Sequence, residues 1–280
     1  MIKILDPGLY SSIQDLGRLN YEHFGVPISG CMDLQSSSLA NKLLNNPKES
    51  ALIESTQIGP KILFKISTII SITGANMTPS INNKLILMNK AINIKKGDIL
   101  SFNNSKNGLR CYIAINGGIK SDLILGSRSC FKGISQNIKL KKGDVLKINS
   151  LKKRLNSSSK MNISYIYDNK KIISVFKGPE FVYLSEKQKH FFYHQKFTIS
   201  NENNRMAYKL KEKLKNELNS IITSPVLPGT IQLTPGGEII ILMRDCQVTG
   251  GYPRIFQLNK SSINLISQKK TNDLIKFKFI

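Results

Sequence analysis

Alternation of apolar and polar residues dominates the chain and predicts mainly β-strands. Segments 62–66 and 67–73 are rich in β-branched residues and are bounded by Gly-Pro and Gly-Ala, as strands commonly are. The apolar runs 110–115 and 238–243 predict buried strands that end at polar loops. Many short strands with glycine-rich turns favour sandwich or barrel lobes over a doubly wound sheet.

Two segments of similar sequence predict β-hairpins. Residues 92–100 and 138–146 each place alternating apolar residues on both sides of a Lys-Gly-Asp sequence. This arrangement is typical of two strands joined by a tight turn. We therefore expect the strands on either side of each turn to pair with one another.

Helical periodicity is scarcer and predicts three helices. Residues 32–44 have an amphipathic face, with Asp33 in the first turn and Pro47 beyond the end. Residues 184–192 and 204–218 are the other two candidates.

A polar stretch that begins near residue 150 predicts a domain boundary, because it has no apolar period. We predict an N-terminal β-rich lobe over 1–150, a linker over 151–164 and a C-terminal lobe over 165–280. The length of 280 residues is sufficient for two lobes that each bury a core.

The charge balance raises the question of nucleic-acid binding, since 41 basic residues stand against 18 acidic ones and the net charge is +23. Dedicated nucleic-acid binders cluster their charge and favour arginine. Here the basic residues are mostly lysines and are spread along the chain. We therefore expect that nucleic acid is not the ligand.

The start of the chain and its cysteines suggest a compartment. The N-terminus lacks the long apolar segment of a signal peptide, and no run approaches the roughly 20 apolar residues of a membrane-spanning helix. The four cysteines lie far apart and match no zinc or redox motif. A reduced, cytoplasmic protein with no membrane partner is the expectation.

Common catalytic signatures are missing from the sequence, which has no P-loop, no G-x-S-x-G elbow and no H-E-x-x-H motif. His190 and His194 have the i, i+4 spacing that can bind a metal on a helix. They have no third ligand nearby and lysines surround them, so we expect a solvated helix face and no metal site.

Candidate chemistry lies instead in polar segments that contain glycine. Glycine pairs allow backbone N–H groups to approach an anion closely, and a neighbouring arginine can pair with a carboxylate through two hydrogen bonds. Each segment alone is more often a tight turn or a buried Asp–Arg pair than a functional site. The segments are 14–18, 25–33, 116–118, 125–129, 204–208 and 245–253.

Taken together, these segments resemble the family of the 5-oxoprolinase C subunit, also called KipA or allophanate hydrolase subunit 2. The resemblance extends along nearly the whole chain, and the combination of ordered matches is specific. The motifs include Gln14-Asp15-x-Gly17-Arg18, Gly25-Val26-Pro27-x-Ser29-Gly30-x-Met32-Asp33, Leu125-Gly126-Ser127-Arg128-Ser129, Asn204-Arg205-Met206-x-Tyr208 and Thr249-Gly250-Gly251-Tyr252-Pro253.

The resemblance implies a mainly β fold with a few helices, in two lobes of the cyclophilin-like β-barrel type. It also implies a hydrolase complex in which subunits A and B are the partners and the cyclic amide 5-oxoproline is opened to L-glutamate with ATP hydrolysis. Because the chain has no P-loop, the nucleotide site would lie on another subunit or be atypical.

Two alternatives stay open within the same family. One is a carboxyltransferase component that moves a carboxyl group from carboxybiotin to urea or a similar amide. Biotin would then be the cofactor, although this chain has no biotin-accepting A-M-K-M-type lysine. The other is a KipA-like regulatory protein that binds a partner without turnover.

The polar clusters suggest roles for individual residues. Arg18 or Arg205 would bind a carboxylate or a phosphate. Asp15 or Asp33 would orient an arginine or act as a base. Tyr252 would donate a hydrogen bond to the substrate. Backbone amides at Gly250 and Gly251 would stabilise an oxyanion, and the other substrate-binding candidates are Gln14, Ser29, Gln232, Gln247 and Thr249.

The chain departs from the family pattern near one of these motifs. Asn204 stands where the family usually has aspartate, Ala207 where it has glycine and Lys209 where it has arginine. These departures leave the expected fold unchanged.

Overall fold

The computed structural model describes residues 1–149 and 171–280, so the predicted linker over 151–164 lies outside the described residues. The described part of the chain divides into two compact units. Residues 1–18 and 29–149 belong to the first unit, and residues 19–28 and 171–280 belong to the second. A short segment near the N-terminus therefore belongs to the same unit as the C-terminal part.

The first unit consists of short strands and one α-helix. Its elements are β1 (Ile2–Asp6), β2 (Tyr10–Gln14), α1 (Leu34–Leu43), β3 (Leu52–Thr56), β4 (Lys61–Phe64), β5 (Thr68–Asn76), β6 (Ser80–Ile81), β7 (Lys84–Leu85), β8 (Ala91–Ile94), β9 (Ile99–Ser101), β10 (Asn107–Ile115), β11 (Ile119–Lys120) and β12 (Val145–Ile148).

These strands form two sheets that share one core. A seven-stranded sheet has the order β11-β12-β1-β4-β9-β6-β7, and a five-stranded sheet has the order β2-β3-β10-β5-β8. Ile4 and Ile62 from the first sheet and Ile113 from the second are fully buried in this core. Burial of these isoleucines on one face of each strand stabilises the unit, because apolar area is removed from water.

Helix α1 packs on the other face of the five-stranded sheet, through polar as well as apolar contacts. Asp33 caps its N-terminus, where the carboxylate accepts hydrogen bonds from the first-turn N–H groups. The hydroxyls of Ser71 and Thr73 on β5 donate to the carbonyls of Ala40 and Ser36, at 2.6 and 2.7 Å. These bonds fix the helix on the sheet.

The second unit contains nine strands and two α-helices in the described part of the chain. They are β13 (Ile172–Lys177), α2 (Glu186–His194), β14 (Phe197–Asn203), β15 (Ala207–Lys213), β16 (Ser224–Pro225), β17 (Thr230–Leu233), β18 (Glu238–Leu242), β19 (Thr249–Gly250), β20 (Arg254–Leu258), α3 (Lys260–Ser267) and β21 (Leu274–Phe279). Short 3-10 helices span Glu22–Phe24 and Pro179–Tyr183.

Seven of these strands close into a barrel of order β13-β20-β17-β18-β15-β14-β21. The parallel pairing of β13 with β21 closes it. Phe192 of α2 packs against Phe197 and Phe256, with ring centroids 5.8 and 4.9 Å apart, and all three side chains are fully buried. The predicted fold class, mainly β with a few helices, is confirmed.

Helices α1 and α2 confirm two of the three predicted helices. The third prediction, a helix over 204–218, is wrong, because this segment begins with a turn and continues as β15. Tyr208 and Leu210 point into the barrel core while Lys211 is exposed, so burial alternates along the strand. Helix α3 was not predicted. None of the described helices has the length and apolar character needed to cross a membrane.

The predicted hairpins are also wrong as strand pairs, although their turns form. In both turns the aspartate carboxylate, Asp98 or Asp144, accepts a hydrogen bond from the N–H three residues earlier, at 2.8 Å. Strand β8 pairs with β5, whereas β9 pairs with β4 and β6, so the first turn connects the two sheets. Residues 138–140 form no strand in the structure. Packing of apolar residues between two sheets outweighs local pairing here.

Candidate functional site

The sequence-predicted site residues are distributed over both units. Those in the first unit are Gln14, Asp15, Arg18, Ser29 and Asp33, and those in the second are Arg205, Gln232, Gln247, Thr249, Gly250, Gly251 and Tyr252.

Asp15 positions a loop of the first unit. Its carboxylate accepts hydrogen bonds from the hydroxyls of Ser127 and Ser129, both at 2.6 Å. It also accepts from the N–H groups of Arg128 and Gly17, at 2.6 and 2.9 Å. Four donors occupy most of the acceptor capacity of a carboxylate. The geometry therefore gives Asp15 a positioning function, and its role as a base stays a prediction.

Arg18 lies at the wall of a cavity of about 350 Å³ in the same unit. It is only 1% exposed, and its Nη2 donates a hydrogen bond to the carbonyl of Ser129. A cavity of this volume is large enough for a small molecule. The other charged residues that line it are Lys120, Asp122, Arg128, Asp144 and Lys147.

The remaining candidates of the first unit are buried. Gln14 donates from Nε2 to the hydroxyl of Ser12 and the carbonyl of Cys130, at 3.0 and 3.3 Å. Ser29 is 1% exposed and has a positive φ of 57°. Asp33 is fully buried as the N-cap of α1. The contacts of Gln14 and Asp33 hold neighbouring loop and helix groups, whereas the buried hydroxyl of Ser29 has no hydrogen-bond partner among the described residues. Substrate binding by the three residues stays a prediction.

A buried charged cluster lies at the start of α1 and was not predicted from the sequence. The Nε of Arg110 lies 3.9 Å from a carboxylate oxygen of Glu54, whose other oxygen accepts from the Met32 N–H at 2.7 Å. Burial raises the pKa of the Tyr112 hydroxyl well above its usual value, and the carboxylates of Glu54 and Asp33 raise it further. Tyr112 thus stays protonated. The sequence signal that could have predicted this cluster is Arg110, a charged residue within the mostly apolar strand β10.

Three predicted residues of the second unit lie together around Gly250. A Cβ at this position would lie 2.8 Å from Nε2 of Gln232, so a larger residue would have to displace that amide, and 3.5 Å from Nε2 of Gln247, an ordinary contact distance. The Nε2 of Gln232 also lies 3.3 Å from the Tyr252 carbonyl, to which it donates. Two side-chain amides thus converge on the backbone of the motif loop.

Gln247 presents an open acceptor in this cluster. Its Oε1 is buried and has no hydrogen-bond partner among the described residues. A buried acceptor without a donor costs free energy, so such groups often mark a binding site. Thr249 and Tyr252 are exposed, the latter by 41%, so solvent reaches the loop. We name Gln232, Gln247 and Gly250 the amide cluster.

Arg205 forms a largely buried ion pair with Asp245, a partner that the sequence did not predict. Its Nε and Nη2 donate to the two carboxylate oxygens of Asp245, at 2.8 and 3.0 Å. The side chains are 8% and 14% exposed. This pair joins the turn before β15 to the loop after β18. Binding of a substrate carboxylate by Arg205 stays a prediction, since Asp245 already occupies two donors of the guanidinium.

A second arginine pair lies beside the motif loop. Arg254 donates from Nε and Nη2 to the carboxylate of Glu180, at 3.0 and 2.9 Å, and its N–H donates to the same group at 2.7 Å. Partial burial alone would raise the pKa of Glu180, but the hydrogen bonds from Arg254 hold it below its usual value. The pair anchors the backbone directly after Tyr252 and Pro253.

The histidine pair lies where the sequence predicted, on the exposed face of α2. The rings of His190 and His194 stack with centroids 4.0 Å apart. Within residues 1–149 and 171–280, no group of three or more potential metal ligands was found.

Comparisons with known proteins place this chain among carboxyltransferase-like sequences. A family model described as carboxyltransferase domain, subdomain A and B, matches residues 24–279. The C subunit of the 5-oxoprolinase of Escherichia coli (strain K12) is 26% identical over 262 residues, which cover 91% of this chain and 83% of that protein.

Urea amidolyases are similar to the chain as well. That of Lachancea kluyveri is 45% identical over 130 residues, which cover 46% of this chain and 7% of that protein. The crystal structure of the K. lactis urea amidolyase matches with a TM-score of 0.88 and 29% identity, over 99% of this chain and 18% of that one. The chain thus spans most of the oxoprolinase subunit but a small part of each urea amidolyase.

Proposed function

The chain belongs to the family described as carboxyltransferase domain, subdomain A and B, and from this we propose that it is the C subunit of a 5-oxoprolinase. In this proposal a complex with subunits A and B opens 5-oxoproline to L-glutamate and hydrolyses ATP. The observation that supports it most is similarity over 83% of a protein that is itself named as this subunit.

The amide cluster of the second unit suits such a substrate. A lactam presents a carbonyl acceptor and an N–H donor on neighbouring atoms, which is the complement of a side-chain carboxamide. In our proposal the Oε1 of Gln247 accepts the lactam N–H. The Nε2 of Gln232 and the backbone of Gly250 lie beside it and would orient the lactam carbonyl.

Opening the lactam places negative charge on its carbonyl oxygen, and preorganised donors stabilise such charge. Amide donors at Gln232, Gly250 and Gly251 would serve this purpose. Removal of one such donor typically lowers the rate by roughly 10²–10³-fold. ATP would enter the reaction as a second substrate, on this subunit or a partner.

A second candidate function is carboxyl transfer to urea or a related amide. It is favoured by the 45% identity with a urea amidolyase over 130 residues, a higher value than the 26% found with the oxoprolinase subunit. Urea also presents amide N–H and carbonyl groups, so the amide cluster would suit either substrate.

Glutamate release from 5-oxoproline and ATP tests the proposal, with the chain co-expressed with subunits A and B and each subunit omitted in turn. We expect release only when all three are present. Replacement Gln247→Leu should lower kcat/KM at least about tenfold, since a lost hydrogen bond in a closed site costs about 1–3 kcal/mol. The matched control is Gln195→Leu, on the partly exposed glutamine after α2.

Three results would contradict the proposal. Carboxylation of urea by carboxybiotin without glutamate release would favour the second candidate function. A complex that assembles but turns over neither substrate would favour a regulatory binding protein. Equal activity of the Gln247→Leu and Gln195→Leu variants would show that Gln247 does not bind the substrate.

A further inference from the structure

The cavity of the first unit contains cations that the proposed function does not use. Lys120 on β11 and Lys147 on β12 line it, and they are directly opposite partners in the antiparallel register. Like charges opposite each other on neighbouring strands are destabilising. Neither lysine forms an ion pair with a described residue. The strand pairing thus holds two positive charges together at the cavity.

Arg128 adds a third charge whose orientation is fixed. Its N–H donates to Asp15, and its guanidinium donates to the carbonyl of Ser121. No carboxylate among the described residues forms an ion pair with this guanidinium. The hydroxyl of Ser121, which also lines the cavity, is buried and has no hydrogen-bond partner within the described ranges. A hydroxyl donor therefore accompanies the cations.

Two acidic residues only partly offset this charge. Asp122 and Asp144 line the same cavity, and the carboxylate of Asp144 already accepts from the Lys141 N–H at 2.8 Å. With Arg18 included, four cationic side chains face two carboxylates. The excess of positive charge predicts an anionic ligand with a charge greater than one.

We propose that this cavity binds a small molecule through a phosphate group. A tetrahedral phosphate offers three or more acceptor oxygens and close to two negative charges, and so can bind cations and a hydroxyl that approach from several directions. A carboxylate, by contrast, needs only one arginine, whose guanidinium donates two parallel hydrogen bonds to its two oxygens. Phosphate between Lys120 and Lys147 would also relieve their repulsion, so binding should stabilise the pair.

Calorimetric titration of the full chain at constant ionic strength tests this site, with inorganic phosphate, ADP and glutarate as probes. We expect phosphate to bind and the double variant Lys120→Gln, Lys147→Gln to weaken it at least about tenfold, because two charge-assisted contacts are lost. The control is Lys48→Gln, Lys95→Gln, which removes the same charge from two exposed lysines elsewhere.

The probes also distinguish the source of the phosphate. Tighter binding of ADP than of phosphate would assign the site to a nucleotide, and equal binding would assign it to free phosphate. The proposal is overturned if neither binds, if glutarate binds as tightly, or if the two double variants weaken phosphate binding equally. Because only binding is measured, these results do not depend on the proposed oxoprolinase activity.

Thermal unfolding provides a second measurement. Without phosphate, Lys147→Gln should raise the Tm, because it removes the repulsion from Lys120. With phosphate, the wild-type Tm should rise and that of the Lys120→Gln, Lys147→Gln variant should not. An equal rise of Tm in both proteins would contradict phosphate binding by Lys120 and Lys147.

Discussion

The motif loops of the second unit are held by arginine–carboxylate pairs with two hydrogen bonds each. Arg205 with Asp245 and Arg254 with Glu180 have this geometry, and all four side chains are less than one-fifth exposed. Such pairs are directional, and breaking a buried one leaves an uncompensated charge. They therefore fix the backbone around the amide cluster, which the cluster needs because hydrogen-bond recognition tolerates little displacement.

The Glu180–Arg254 pair predicts acid sensitivity. The pKa of Glu180 is lowered in the folded protein from its usual 4.5, because the Arg254 hydrogen bonds outweigh partial burial. A lowered carboxyl pKa contributes stability at pH values above 4.5, which is lost as the pH falls through the folded-state value. The difference in unfolding free energy between wild type and Glu180→Gln should therefore be largest near neutral pH and shrink below 4.5.

Urea denaturation at a series of pH values measures this difference. The control is Glu186→Gln, which removes the exposed partner of Lys189 and should change stability by less than about 0.5 kcal/mol at any pH. A difference for Glu180→Gln that stays constant as the pH falls would contradict the assignment.

At the level of single residues, the sequence predicted the loops better than the contacts within them. Gly250, Gln232 and Gln247 were candidates, and the structure brings them together. The surroundings of Asp15 could not be predicted, because its hydroxyl and N–H donors in the 127–129 loop lie 112 to 114 residues away in sequence. Partners this distant depend on how the strands pair, which local patterns do not determine.

Among the elements, strand β5 contains a position that only glycine tolerates. Gly74 has a φ of +81°, and a Cβ there would lie 2.5 Å from the carbonyl of Arg110 on β10. Gly74→Ala must shift the backbone of the central strand pair, so we expect it to lower the unfolding free energy by about 3 kcal/mol or more. Gly97→Ala is the matched control, because its φ is +95° but the space is open.

Chemical denaturation measures the unfolding free energy of both glycine variants and of the wild type. Gly97→Ala should lower the unfolding free energy by about 1–2 kcal/mol, which is the cost of holding an alanine backbone in the left-handed conformation. If both variants lose the same unfolding free energy, then the close contact with the Arg110 carbonyl costs nothing beyond the positive φ itself.

Predictions of elements were correct where local pattern and tertiary packing agree. Strand β10 is one example, since its long apolar run is buried in the middle of a sheet. Strand β15 is the opposite case. Its lysine, glutamate and leucine residues are good helix formers, but Tyr208 and Leu210 are buried between β14 and β18. Pairing on both sides outweighs a helix propensity of a few tenths of a kcal/mol per residue.

For the whole molecule, the assignment of residues 19–28 to the second unit shows the limit of sequence reasoning. No change in composition marks either end of this segment, whereas the polar stretch after residue 149 is evident. A boundary within a continuous sequence depends on long-range contacts. The mainly β class, by contrast, follows from alternation along many short segments, and so it could be predicted.

The charge of the whole molecule predicts a rise of stability with salt. A net charge of +23, spread along the chain as lysines, repels itself in the folded state more than in the expanded unfolded state. Screening weakens this repulsion, because the Debye length falls from about 30 Å at 0.01 M to about 8 Å at 0.15 M salt. The Tm should therefore increase by several degrees over this range. Sodium chloride is the suitable salt, since phosphate would add binding at the proposed site. A Tm that falls as sodium chloride is added would show that attractive pairs such as Arg205–Asp245 outweigh the excess of lysine.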